Sequence, residues 1–255
     1  MTAEMITYEQ PLNEIIRVCL RLEHIFQRVD HALKDDTVQG TQQAFQCVIH
    51  ILHLLERPDL KSKLAKELNC CLTSLMRYGN LPEIDEKKLE SFIQQLEELS
   101  HHLIESSGKI GHHLRDIELF NLLCLHLGAP GGGLSFDTPL YHYWLAQPLE
   151  THRAILHDWL QSFNEIRAAV ALLLEIVRNH AKVEEKMATN GFHQELLDPQ
   201  SNLRMIRVSI QKNIKAFPEM SVGRHFLSTR FFEPDILKRP NQYAGDVPFL
   251  LAYCY

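Results

Sequence analysis

Leu203-Arg-Met-Ile-Arg-Val-Ser-Ile-Gln211 puts Ile206, Val208 and Ile210 on one side of an extended chain and Met205, Arg207, Ser209 and Gln211 on the other. Side chains alternate across a strand with a period of two, so this stretch reads as a half-buried β-strand. Almost everything before it follows a different rule. From Leu12 to about Ala181 apolar residues recur at three- and four-residue spacing, the period of a helix that buries one face. The change falls near Val183, where Pro, Gly and Asn begin to punctuate short segments. The fold class read from this change is α+β: a mainly helical body, residues 10–182, and a β-rich domain formed by residues 183–255 together with an N-terminal strand, residues 1–9.

Working outward, the helical body resolves into segments with recognisable ends. Pro11 is expected to open a first helix to about His31, since a helix tolerates proline in its first turn. A second is expected from about Thr41 to Arg57, ending before Pro58, and a third from an Asp59 cap to Tyr78 with Gly79 as its stop. A long amphipathic helix opens near Asp85. After a break at Ser106 to Gly111, another runs from His112 to Leu127. Gly128 to Asp137 is a loop, Tyr141 to Trp144 a short aromatic helix, and Leu149 to about Ala181 one long final helix. In the β-rich part, Asn190-Gly191 marks a hairpin within Lys186 to Leu196. Arg224 to Phe232 and Val247 to Tyr253 are further strands, and Met5 to Glu9 is expected to pair with this sheet.

The 255 residues are 45% hydrophobic and 23% charged, the balance of a globular protein with one or two cores. No apolar run approaches the roughly 20 residues of a membrane-spanning helix, and the acidic N-terminus lacks the pattern of a signal peptide. A cytoplasmic protein with no membrane partner is expected. The six cysteines contain no C-x-x-C and sit among leucines and isoleucines, as buried thiols do.

Chemistry-bearing motifs are sparse. Fifteen histidines invite a metal reading, but no H-E-x-x-H occurs and no pair has a carboxylate or thiolate at ligand spacing. The glycines at 128–133 follow a helix and lack the Gly-Lys-Ser/Thr of a phosphate loop. No nucleophile stands in a recognisable elbow. The expectation is therefore no catalytic residues, no metal and no cofactor. What remains is charge distribution. The chain carries a net charge of −6, yet from Gln200 onward eight Lys/Arg face four acids, against 18 basic and 28 acidic residues before it. A basic part on an acidic body points to a localised anionic partner. Arginines on strands, Arg207 and Arg230 foremost, suit bidentate capture of carboxylates, and the two are expected to project from neighbouring strands into one patch. A nucleic-acid binder using the basic C-terminal part and a hydrolase with a dispersed site are the alternatives.

Tyr8-Glu-Gln-Pro-Leu-Asn-Glu14 with Arg17 and Leu20-Arg-Leu-Glu23, Leu55-Glu-Arg57, Gly131-Gly-Gly-Leu-Ser-Phe-Asp137 with Trp144-Leu145, and Asn190-Gly-Phe192 together resemble the ZapD family of bacterial cell-division proteins. The resemblance spans the whole chain. It implies a non-enzymatic adaptor that forms a homodimer, holds the C-terminal tail of the tubulin-like GTPase FtsZ in a basic pocket, and cross-links FtsZ filaments at the mid-cell division ring. The pocket residues it carries onto this sequence are Arg57, Arg115, Arg207 and Arg230. The chain departs from the family pattern at Phe226 and Glu118, where basic residues can stand, and Arg224 is the substitute for the first.

Overall fold

The computed structural model describes residues 4–78, 86–106, 108–127 and 131–255. Gly79, Asp85, part of the break after Ser106 and the start of the Gly128 loop lie outside them. The chain forms two compact units, one of residues 1–17 and 174–255, the other of residues 18–173.

In the helical unit eight α-helices are described along the chain: α1 (Glu14–Ala32), α2 (Val38–Leu55), α3 (Leu60–Tyr78), α4 (Glu86–Glu105), α5 (Glu118–His126), α6 (Pro139–Leu145), α7 (Leu149–Gln161) and α8 (Asn164–Asn179), with the unit boundaries falling inside α1 and α8. Expected boundaries move: α2 starts earlier, at Val38, because Thr37 caps it by accepting the Gly40 N–H, and three larger changes each have a local reason. Pro11 closes a strand rather than opening α1. The helix is capped instead by Asn13, whose side-chain oxygen accepts the Ile16 N–H at 2.8 Å. The segment from His112 is a 3-10 helix to Asp116, then an extended Ile117, then α5. The expected long final helix is two, α7 and α8, broken at Ser162-Phe163. There Phe163 is fully buried beside Gly111, which sits at φ +68° so close that a Cβ would stand 2.7 Å from the ring.

The core of this unit is aromatic. Phe45 lies edge-on to Trp144 at 4.9 Å and to Trp159 at 4.7 Å, and Phe120 meets Trp159 at 5.2 Å. Such pairs contribute about 0.5–1.5 kcal/mol each beyond their buried area. Four of the six thiols, including Cys19 and Cys71, are buried, and burial pushes the Cys19 thiol up to about 12.

The other unit is a β-sandwich. One sheet has the order β1 (Met5–Pro11), β4 (Met205–Gln211), β7 (Val247–Cys254), β2 (Ala181–Ala188); the other has β3 (Phe192–Leu196), β6 (Phe226–Phe232), β5 (Phe217–Val222). All pairings are antiparallel. The N-terminal strand pairs with β4 as expected, Glu9 opposite Arg207. Ile206, Val208 and Ile210 point to a shared core with Phe249 and Leu251 of the same sheet and Leu227 and Phe231 of the other. Phe231 and Phe249 touch across the sheets at 5.3 Å.

Two features depart from the sequence reading. Asn190 and Gly191 do adopt positive φ, and the Phe192 N–H reaches the Thr189 carbonyl at 3.0 Å. Yet β2 and β3 are not hairpin partners, because beyond that tight turn β2 joins β7 and β3 joins β6 in the opposite sheet. The turn is a corner between sheets. β5 is a strand that the sequence reading does not name; it carries Pro218 and is an edge strand, where a missing N–H is tolerated.

Candidate functional site

Arg207 and Arg230 do not share a patch. The inward direction of Ile206 and Val208 sends Arg207 to the outer face of the four-stranded sheet, while Leu227, Thr229 and Phe231 turn Arg230 to the outer face of the three-stranded sheet. The two faces look away from each other, because the strands carrying these arginines belong to different sheets.

Arg207 is engaged. Its Nε lies 3.2 Å from Glu9 Oε1, and the same carboxylate takes two bonds from Arg178 at the end of α8, Nε to Oε1 and Nη2 to Oε2, both 2.9 Å. These side chains are about three-quarters buried. Arg178 grips the carboxylate with two hydrogen bonds, while the buried Arg207 Nε faces it at ion-pair distance without a hydrogen bond, so Arg207 is held in a charged cluster and is not presented to solvent as a free guanidinium.

Arg230 is exposed and differently placed. Its guanidinium lies over the Phe192 ring at 5.6 Å, with Glu219 opposite it on β5. Among the described residues it has no carboxylate within ion-pair distance. The outer face around it mixes apolar and polar rows: Phe217 and Phe232 stack at 5.9 Å on one side, and on the other, beyond Gln194, Ser228 and Ser221, Phe226 stands opposite Leu196. Phe226 is 49% and Leu196 76% exposed. Phe226, which departs from the basic residue expected by resemblance, thus adds an exposed ring to the same face, one polar row (Gln194, Ser228, Ser221) away from Arg230. A guanidinium beside exposed aromatic faces grips a carboxylate and packs an apolar side chain at once.

Arg224 is exposed in the turn before β6 and lines an open cavity of about 450 Å³ at one end of the sandwich. Arg17, from the first turns of α1, lines the same cavity. Every lining residue belongs to the sandwich unit. Arg17 stands in the quoted resemblance, but nothing in periodicity places it beside Arg224. Only the pairing of β1 with β4 brings the start of the chain to this end of the sandwich.

Arg57 and Arg115 belong to the helical unit. Arg57 is exposed just beyond α2, and Arg115, in the 3-10 helix, makes an ion pair with the adjacent Glu56. The fold therefore brings these two together around Glu56. Glu118 follows at the start of α5. Among the described residues no three His, Cys, Asp or Glu side chains gather in a metal-binding group, and no helix is long and apolar enough to cross a membrane.

A family profile for the cell-division protein ZapD matches residues 20–230. The cell division protein ZapD of Coxiella burnetii is 34% identical over 258 residues, covering 100% of this chain and 99% of the relative. The chain belongs to the ZapD family. ZapD proteins of Dechloromonas aromatica and Methylococcus capsulatus are similar at 34% and 32% identity, each over 98% of this chain. Membership of the ZapD family makes this a cell-division protein. The matched span, residues 20–230, runs across the positions of Arg57, Arg115, Arg207 and Arg224 and ends at Arg230.

Proposed function

We propose that this protein is a non-enzymatic cell-division adaptor that binds the C-terminal tail of FtsZ, and that as a homodimer it cross-links FtsZ filaments in the division ring of the cytoplasm. The observation that carries the reading is Arg230: an exposed guanidinium on an aromatic sheet face, held by a ring rather than by a carboxylate, ready for an anionic and apolar segment. Arg224 and Arg17 supply further positive charge in the same unit. Arg57 and Arg115, gathered around Glu56, are a second candidate contact in the helical unit. Two copies of a modest site on one dimer gain strength along a polymer that displays many tails, because the second attachment is intramolecular. A nucleic-acid partner is disfavoured by the net charge of −6 and by the aromatic rather than uniformly basic character of the Arg230 face.

Calorimetric titration of the purified protein with a synthetic FtsZ tail peptide tests the reading. Saturable binding that weakens with salt is expected. A silent titration at millimolar peptide overturns it.

A further inference from the structure

The cavity at the end of the sandwich carries a more specific assignment than a general basic surface. Four segments build it: the end of β1, the loop between β3 and β4, the turn between β5 and β6, and the start of α1. Backbone hydrogen bonds fix them together. The Leu12 N–H donates to Arg204 O at 2.9 Å, Leu197 N–H to His225 O at 2.9 Å, and Gly223 N–H to Phe226 O at 2.8 Å. The Asp198 turn is closed by its own side chain, which accepts the Gln200 N–H at 2.9 Å, while the Ser201 hydroxyl donates to the Asp198 carbonyl at 2.7 Å. The walls are therefore set before any ligand arrives, which lowers the ordering cost of binding.

The lining has two chemistries. Pro11, Leu12, Leu203 and Val222 give an apolar surface, and Arg17 and Arg224 contribute two guanidiniums. The acid in the lining, Asp198, has one carboxylate oxygen committed to its own turn. Arg17 holds Glu14 at 2.7 Å, but both side chains are about half exposed and three residues apart on one helix, an ion pair that an incoming carboxylate displaces cheaply. A volume of about 450 Å³ suits one or two residues of an extended peptide.

We infer that this cavity is a subsite for a peptide carboxylate next to an aliphatic side chain, the acid shared by Arg17 and Arg224 and the aliphatic group seated on Pro11, Leu12, Leu203 and Val222. The inference rests on the tail-binding reading and deepens it. Leu196 and Phe226, on the outer strip below Arg230, adjoin the cavity residue Leu197 and the Gly223–Phe226 turn. One extended segment can thus run from Arg230 along β6 to the cavity.

The test is calorimetry of the full chain with two probes, the FtsZ C-terminal tail peptide and the same peptide with its side-chain carboxylates replaced by amides. The unaltered protein binds the acidic peptide at least about tenfold more tightly than the amide peptide, as expected for charge-assisted bidentate pairs. In the Arg17→Gln, Arg224→Gln double variant that difference disappears and acidic-peptide affinity falls by a similar factor. Arg224→Gln alone, on an exposed turn, gives a partial loss and keeps the test decisive if the double variant loses its fold. If these variants bind the acidic peptide as the unaltered protein does, or if the two peptides bind the unaltered protein equally, the subsite is overturned and tail binding stands. If the unaltered protein binds neither peptide, both readings fall.

Discussion

Glu9 and Arg178 meet in a two-point ion pair, Nε to Oε1 and Nη2 to Oε2 at 2.9 Å each, and Arg207 stands against the same carboxylate on the neighbouring strand. A three-member charged clamp thus ties the N-terminal edge strand β1 to β4 and to the end of α8. Removing the central carboxylate leaves two guanidiniums on a largely buried face.

Glu9→Gln is accordingly expected to lower folding stability by about 1–3 kcal/mol, the cost of leaving polar partners unsatisfied. Arg207→Ala should act the same way. Urea unfolding checks both. If Arg207→Ala leaves the midpoint unchanged but abolishes tail binding, Arg207 is a contact residue and not part of a clamp.

Glu195 on β3 is a second hub, taking bonds from the Tyr253 hydroxyl, from His193 at 3.1 Å and from Lys186 at 3.2 Å. Burial pushes its carboxyl up, but these bonds outweigh it and hold the group below the ordinary carboxylate range, while burial and then the bond to Glu195 raise Tyr253. A depressed folded-state pKa gives stability that is present above the unfolded value of about 4.3 and is lost as pH falls through the folded value. The stability gap between the unaltered protein and Glu195→Gln should therefore be full at pH 6 and shrink below about pH 4. A gap that stays constant on acidification would contradict the arrangement.

Gly191 forms the corner between the sheets at φ +69°, and a Cβ there would stand 2.3 Å from the Tyr243 carbonyl oxygen. The left-handed conformation alone costs a side chain about 1–2 kcal/mol, and a backbone clash adds to it. Gly191→Ala should lower the thermal midpoint measurably; an unchanged midpoint would mean the corner relaxes freely.

Much of this fold was legible in the sequence because burial imposes period. The strand at Met205–Gln211, the helix at Leu60–Tyr78 and the pairing of the N-terminal strand with the C-terminal sheet follow from alternation, spacing and the break at Pro11. Periodicity says nothing about which sheet a strand joins. The strong Asn190-Gly191 signal therefore gave the turn correctly and the partners wrongly, and Arg207 and Arg230 ended on opposite faces. The break at Phe163 leaves no trace in the pattern, because a buried ring that breaks a helix has the same spacing as one that continues it. The Arg17–Arg224 cavity is a product of long-range pairing, which no local pattern records.

Arg230→Glu is expected to reduce tail-peptide affinity at least about tenfold, since it replaces attraction by repulsion at an exposed site. The helical content and the oligomeric mass should be unchanged, because Arg230 faces away from the core. Circular dichroism and sizing accompany the titration; normal affinity would move the site to Arg57 and Arg115.

Sedimentation equilibrium at micromolar concentration should give twice the 29.6 kDa chain mass. A monomer at that concentration would remove the bridging mechanism, since a single chain with one site cannot join two filaments.

The most direct test of the adaptor reading is low-speed pelleting of polymerised FtsZ in the presence of this protein, with full-length FtsZ and with FtsZ lacking its C-terminal tail. The account predicts that both proteins pellet together as bundles with full-length FtsZ and that both stay in the supernatant when the tail is absent. Equal pelleting of the tail-less polymer, or none with the full-length one, would contradict it.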